Sequence, residues 1–429
     1  MKVTIWPQRL RGEIRAISSK SAAHRLLICG ALAERPTEIL CENLSADIEA
    51  TAEALRSLGA EIAYEEPRGA FRVTPIRPAA GLLEPESGET GQTDPILPAD
   101  DPCGLDVGES GSTLRFLLPV ICALGRETRI VMHGRLGERP LSPLWEELIR
   151  HGCELTRNPD GTLGTRGKLR GGTFSLAANI SSQFISGLLF ALPLMGEESR
   201  IRLEGPVESE GYIRMTMQAL ARFGVRTEWE GDTLRTFGGL RSPGRAETEG
   251  DWSAGAFWEV AAMLSDGDAG GLCLTGLDPE SAQGDRAVRS LKKEIAAGNA
   301  EIDARNIPDL VPILAVQAAL SPGTTVFTGA GRLRLKESDR IASTVRMLTD
   351  LGGRAEETAE GLIVRGQTFL RGGTVDSCGD HRIAMSAAVA SIACWEKVVI
   401  NGAQAVRKSY PGFWEDFERL GGRIQKEDA

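Results

Sequence analysis

Two kinds of helix alternate along this chain, and the alternation repeats six times. Helices of the first kind are apolar on nearly every face and follow short polar segments at once. They are SKSAAHRLLICGAL from Ser19, SGSTLRFLLPVICAL from Ser110, SSQFISGLLFALPL from Ser181, GDWSAGAFWEVAAML from Gly250, IPDLVPILAVQAAL from Ile307 and GDHRIAMSAAVASIA from Gly379. A helix apolar all round has to be buried. Helices of the second kind are amphipathic and end in a recurring pattern: LRSLGAEI, LIRHGCEL, LARFGVRT, MLTDLGGRA and FERLGGRI, with a weaker copy in LKKEIAAGNAEI. Their glycines, Gly59, Gly152, Gly224, Gly352, Gly421 and Gly298, stand where a helix stops in left-handed geometry before a strand. Short strand-like runs such as RIRLEG, TTVFTG and KVVING lie beside the apolar helices. The pattern predicts an α/β (α+β) protein of six units, each a central helix wrapped by strands and an outer helix.

Three units per half suggest two like domains. The pattern breaks near Arg241 to Asp251, where Ser242, Pro243 and Gly244 interrupt it. The opening strand KVTIWP precedes the first unit and pairs with the second half, so the chain crosses between halves twice. The expected division is residues 1–18 with 246–429 in domain I and 19–245 in domain II. The polar stretch from Gly81 to Pro102 reads as an exposed loop.

Composition narrows the function. The 429 residues, 41% apolar and 25% charged, are those of a globular protein. Net charge is −10, which argues against nucleic acid as a partner. No run of 18 uncharged apolar residues offers a membrane span, and no signal-peptide pattern opens the chain, so a cytoplasmic location is expected. Eight cysteines are scattered without a C-x-x-C pair and read as reduced thiols. Four histidines without i, i+4 spacing give no metal cluster.

The polar starts of the buried helices carry the most information. Such starts offer free backbone N–H groups and a positive dipole end, and several facing one cleft make an anion site. Ser and Asp there also serve simply as caps. Capping does not explain Lys20 and Arg25, Arg115, and Arg382 in the first turns, because a long cation on a buried helix is costly unless an anion meets it.

With these residues the chain resembles the 5-enolpyruvylshikimate-3-phosphate synthases. The matching motifs run in order: Ser19, Lys20, Ser21 and Arg25; SGSTLRF with Gly111 and Arg115; GERPLSPL with Arg139; SSQF with Ser181, Ser182 and Gln183; SEGYI with Ser209 and Tyr212; NIPD with Asp309; RLKESDR with Lys336, Glu337 and Arg340; GDHRIAM with Arg382; and VRKSYPGFWEDF with Lys408. The resemblance implies a two-domain inside-out α/β barrel, three βαβαββ-like repeats per domain, with substrates in the cleft between. It implies transfer of the enolpyruvyl group of phosphoenolpyruvate to the 5-hydroxyl of shikimate 3-phosphate, by a monomer with no metal or organic cofactor. By the same resemblance Lys20, Gly111, Arg139, Gln183, Arg340, Arg382 and Lys408 contact phosphoenolpyruvate. Ser21, Arg25, Ser181, Ser182, Gln183, Ser209, Tyr212, Asp309 and Lys336 hold shikimate 3-phosphate. Asp309, Glu337 and Lys20 are the acid–base candidates, and burial or like-charge pairing is expected to raise one carboxyl pKa.

The chain departs from the family's pattern in places. The stretch between Arg286 and Asn306 is short, so one repeat is expected to be truncated near residues 290–305. Glu109 stands where the family often has Asn, Glu210 at a commonly basic position, and Arg332 where an amide is frequent. A carboxylate beside a phosphoenolpyruvate site repels it unless turned away or paired. Glyphosate sensitivity is expected from Gly111, with Glu109 leaving it open. Two alternatives are a UDP-N-acetylglucosamine enolpyruvyl transferase and a non-catalytic anion-binding homologue. The first typically has Lys-Asn where Ser21 follows Lys20 here, and the second would lack Asp309 or Glu337.

Overall fold

The computed structural model describes residues 1–76, 103–196, 198–265 and 271–427. The loop expected from Gly81 to Pro102 lies outside the described residues. Among those described, twelve α-helices follow in order: α1 (Lys20–Leu32), α2 (Ala46–Ser57), α3 (Gly111–Leu124), α4 (Leu144–Arg150), α5 (Ser182–Ala191), α6 (Glu210–Arg222), α7 (Trp252–Ser265), α8 (Val288–Ala297), α9 (Val311–Ala319), α10 (Arg340–Asp350), α11 (His381–Ala390) and α12 (Phe413–Arg419). The odd-numbered ones are the apolar helices of the sequence pattern. Every residue of α9 and α11 is buried, and each large aliphatic side chain so placed contributes about 1.5–3 kcal/mol. The even-numbered helices bury one stripe, as α10 does with Ile341, Thr344, Met347 and Leu348. The six helix-end glycines all have positive φ, from 78° at Gly224 to 99° at Gly59.

A small sheet accompanies each pair of helices, on one plan. Two parallel strands are joined through the odd helix, and a hairpin follows the even one. Thus Cys103–Asp106 pairs in parallel with Thr128–Val131, and the hairpin Cys153–Arg157 with Leu163–Gly167 completes the sheet. Inward and outward residues alternate, with Phe174 and Leu176 buried in Thr173–Ala177. The odd helices are buried and the sheets alternate buried with exposed residues, the two-domain α/β layout expected.

Two units take their leading strand from far along the chain. Arg245–Glu247 pairs in parallel with Thr37–Leu40, and Gly12–Arg15 with Leu272–Thr275. The opening strand Lys2–Trp6 lies between Val398–Asn401 and Arg423–Glu427, as the sequence suggested. The truncation also appears. Among the described residues the unit of α7 and α8 has only its parallel pair, and after Ala297 the chain passes straight into Glu301–Asp303, the first strand of the next sheet.

Two hydrophobic cores result. One is built from residues between Ala23 and Ala246, the other from Val3 to Ile17 and Trp252 to Leu420. The chain passes between them twice, side by side. Ser18 and Gly250 form an antiparallel bridge, Ser19 N donates to Glu249 O at 2.7 Å, and Asp251 N donates to Ile17 O at 2.8 Å. All eight cysteines are free. No helix among the described residues is long and apolar enough to cross a membrane.

Candidate active site

The starts of the odd helices converge where the two cores meet. Capping explains most of their polar residues. Ser19, Ser110 and Ser181 Oγ each accept from a first-turn N–H at 3.3 Å. Asp251 accepts from Ala254 N at 2.8 Å and Asp380 from Arg382 N at 2.9 Å. Asp309 breaks the series. No side chain caps α9, and both Asp309 oxygens go elsewhere. Oδ1 takes Arg340 Nη1 at 2.8 Å, while Oδ2 accepts from the Tyr212 hydroxyl at 2.8 Å and meets Arg382 Nη2 at 3.1 Å.

One cavity collects nearly all the residues singled out in the sequence. Its wall includes Lys20, Ser21, Arg25, Gly111, Arg139, Ser181, Ser182, Gln183, Ser209, Tyr212, Asp309, Lys336, Glu337, Arg340 and Arg382. Lys408 is not on this wall, although its neighbour Ser409 is; its ammonium lies 3.2 Å from Glu109 O and 3.4 Å from Glu109 Oε2. With Arg115 and Arg332 the wall carries eight cations against four carboxylates, Asp47, Asp251, Asp309 and Glu337. An excess of four positive charges thus lines a cleft in a chain of net charge −10.

Several of these cations lack a counter-ion. Arg25 is 2% exposed, and its guanidinium donates only to Thr216 Oγ1 at 2.9 Å, Tyr212 O at 2.9 Å and Ser21 O at 2.6 Å, over the Phe116 ring. Burial draws it down to about 10. Arg115 donates to Gln183 Oε1 at 2.8 Å and Pro140 O at 3.2 Å; burial, then Arg139, draws it down to about 9. Buried cations held by neutral acceptors are an anion site in waiting. Gly111 makes room for a further cation of the wall, Arg139, since a Cβ there would lie 2.7 Å from its Nη1; Arg139 also lies 3.9 Å from Glu337.

The carboxylates are gathered by Arg340. Its guanidinium, 1% exposed, reaches Asp309 at 2.8 Å, Glu337 at 2.7 Å and Asp380 at 2.8 Å. Burial alone would raise Asp309, but Arg382, Lys336 and Arg340 outweigh it and hold the carboxyl well below the usual range. Burial likewise acts on Glu337, and Arg340, Arg139 and Lys408 again win. The expectation of one raised acid therefore fails for both, because each is surrounded by cations. The acids raised near the site are Asp251, pushed up by burial, and Asp285, pushed up to about 7 by burial and Asp309. Among the lysines, burial tends to lower Lys20, yet Asp47 at 2.7 Å raises it overall. Lys336 is drawn down to about 8 by burial, only partly offset by Asp309.

The departures from the family pattern find partners. Glu109 is paired with Lys408, and Glu210 turns out to Arg214 at 2.6 Å. Arg332 Nη2 donates to Ser209 Oγ at 2.7 Å, and its Nε lies 3.3 Å from Glu208. Ser209 takes a left-handed φ of 55°. His381 is 2% exposed and neither ring nitrogen makes a hydrogen bond; burial and Arg382 hold it neutral. Sequence reasoning missed Asp47, Ser253 and Asp285, which belong to this cluster only through tertiary packing.

Comparison with known proteins agrees with this picture. A family model described as EPSP synthase (3-phosphoshikimate 1-carboxyvinyltransferase) matches residues 6–417. A 3-phosphoshikimate 1-carboxyvinyltransferase of Clostridium novyi (strain NT) is 38% identical over 445 residues, covering 99% of this chain and 98% of the relative. One from Clostridium kluyveri is 37% identical over 448 residues, with the same shares covered. The structure of an EPSP synthase from Acinetobacter baumannii aligns with a TM-score of 0.76 at 25% identity, over 99% of this chain and 100% of that one. A match unbroken from the first strand to α12 places the chain in the EPSP synthase family.

Proposed function

We propose that this protein transfers the enolpyruvyl group of phosphoenolpyruvate to the 5-hydroxyl of shikimate 3-phosphate, with release of phosphate, by addition followed by elimination. The carrying observation is the positive excess of the cleft, with Arg25 and Arg115 buried and lacking counter-ions. Two substrates that each bear a phosphate and a carboxylate supply what those cations lack. In this reading Lys20, Gly111, Arg139, Gln183, Arg340, Arg382 and Lys408 hold phosphoenolpyruvate. Ser21, Arg25, Ser181, Ser182, Gln183, Ser209, Tyr212, Asp309 and Lys336 hold shikimate 3-phosphate.

Asp309, ionised and uncapped, takes the proton of the 5-hydroxyl as its oxygen attacks the enolpyruvyl carbon. Lys20, kept protonated by Asp47, delivers a proton to the methylene carbon. Glu337, kept ionised by Arg340 and Arg139, removes a methyl proton as phosphate leaves; the hydroxyl proton departs with the phosphate, and the proton taken by Glu337 replaces the one Lys20 gave. The reading takes the protein to act as a monomer, and the free thiols support a cytoplasmic setting. The halves 19–245 and 1–18 with 246–429 act as the two domains; the chain crosses between them near Ser18 and Gly250, and contacts such as that of the Tyr212 hydroxyl with Asp309 also link them.

The test is phosphate release from phosphoenolpyruvate with shikimate 3-phosphate, run beside UDP-N-acetylglucosamine. Release only with the ring phosphate is expected. Release only with the UDP-sugar, or with neither, defeats the assignment.

A further inference from the structure

Behind the wall of the site lies a carboxyl that the transfer scheme does not use. Asp285 sits on the short turn Gly284–Ala287, is 3% exposed, and its Oδ2 accepts a hydrogen bond from the Ser253 hydroxyl. Its Oδ1 is buried without a hydrogen-bond partner. Buried acids with a purely structural role are normally satisfied at both oxygens. Ser253 lies in the first turn of α7, on the cavity wall beside Asp251 and Ala254. The turn is pinned in place. Gln283 accepts from Trp252 N at 2.9 Å and donates to Gly250 O at 2.8 Å. A Cβ on Gly211 of α6 would lie 2.9 Å from Gly284 N.

We propose that Ser253 and Asp285 form an additional polar arm of the site, in which the buried acid decides whether the serine hydroxyl donates to the bound anionic substrate. A protonated Asp285 donates to Ser253 Oγ and leaves the hydroxyl hydrogen free to point into the cavity. An ionised Asp285 takes that hydrogen, and Ser253 then shows the cavity only lone pairs. Anionic oxygens are acceptors, so the first arrangement holds them and the second repels them.

The titratable and charged groups facing Asp285 come from four elements: Asp251 beside α7, Asp309 before α9, Arg382 on α11 and the neutral Tyr212 on α6. Others nearby are turned elsewhere: Arg286 to Pro279 O, Arg289 to Glu259 and Glu210 to Arg214. Burial first, then Asp309 and Asp251, push the carboxyl up to about 7 against the pull of Arg382. The arm donates below that pH and stops donating above it.

This inference rests on the transfer reaction proposed above, and the experiment separates the two. KM for each substrate is measured from pH 6 to pH 8.5 in wild type, Asp285→Asn, Ser253→Ala and Ser253→Thr, with thermal melting of each. Taking variant-to-wild-type ratios cancels the ionisation of Lys336 and of the substrates' own phosphates. The carboxamide of Asp285→Asn donates to Ser253 at every pH. For at least one substrate its KM relative to wild type should therefore fall severalfold as pH rises through 7. Ser253→Ala should raise that KM severalfold at pH 6 and much less at pH 8.5, and Ser253→Thr should restore it. Constant ratios across the range, or an unchanged KM in Ser253→Ala, overturn the arm. Should Asp285→Asn fail to fold, the alanine and threonine variants decide alone. Wild type silent with this substrate pair at every pH would instead overturn the transfer reaction.

Discussion

Asp309 and Arg340 are joined by an ion pair of 2.8 Å in which the guanidinium is 1% exposed. The pair removes Asp309 from the capping role that its place before α9 suggests, and it keeps the carboxylate ionised and aimed at the cavity. A carboxylate held this way accepts a proton only from a partner whose charge is developing, as a hydroxyl's does during attack.

Asp309→Asn should lower kcat by about 10²–10⁴-fold, the usual worth of a positioned acid–base group. Arg340 keeps Glu337 and Asp380, so the fold should hold, and KM for the ring substrate should move far less than kcat. Single-turnover phosphate release with a parallel binding titration checks this. Near-normal turnover with substrate bound removes Asp309 from the chemistry.

The outline of this site is readable in the chain because burial and polarity conflict there. Helices apolar on every face announce the interior, and Lys20, Arg25 and Arg382 at their starts announce a ligand. The parts that stay hidden depend on contacts between distant segments. Lys20 meets Asp47 across a helix boundary, and Asp285 acquires its burial from a turn pressed against Gly211 in the other half. Short strands such as Gly12–Arg15, with one buried residue, carry too little pattern to reveal that they pair with Leu272–Thr275. The same reasoning misjudged the acids. A buried carboxyl alone titrates high, and only the positions of Arg340, Arg139 and Arg382 reverse that for Asp309 and Glu337.

Lys336 supplies a pH limb. Burial draws its ammonium down to about 8, so the charge is complete below that pH and lost as pH rises through it. Binding of an anionic ring substrate needs the charged form, and KM should climb toward about tenfold per pH unit above 8. Lys336→Arg, charged throughout, should remove the limb even where its overall affinity is lower. A limb that persists in Lys336→Arg assigns it to another group.

Gly111→Ala separates space from stability. The added methyl meets the far end of Arg139 at 2.7 Å, and the end of a flexible side chain yields at small cost to folding. The guanidinium displaced is the one assigned to phosphoenolpyruvate, so KM for that substrate should rise about tenfold, with melting and the ring-substrate KM little changed. Unfolding of the variant, or an equal rise in both KM values, contradicts this geometry.

Glu109 competes for Lys408. The Lys408 ammonium, 11% exposed at its side chain, lies 3.4 Å from the Glu109 carboxylate, which is 55% exposed. An anionic substrate that needs Lys408 has to share it with a fixed negative charge. Glu109→Gln removes the charge and keeps the side chain's size, so KM for phosphoenolpyruvate should fall. Solvent screening of so exposed a group limits the gain to about fivefold. The gain should shrink as salt is raised, because ions screen the exposed carboxylate more than they screen a substrate enclosed in the cleft. A fall that is indifferent to salt would trace the effect to shape rather than charge. An unchanged KM at low salt would mean that Lys408 does not serve phosphoenolpyruvate, in keeping with its place just off the cavity wall.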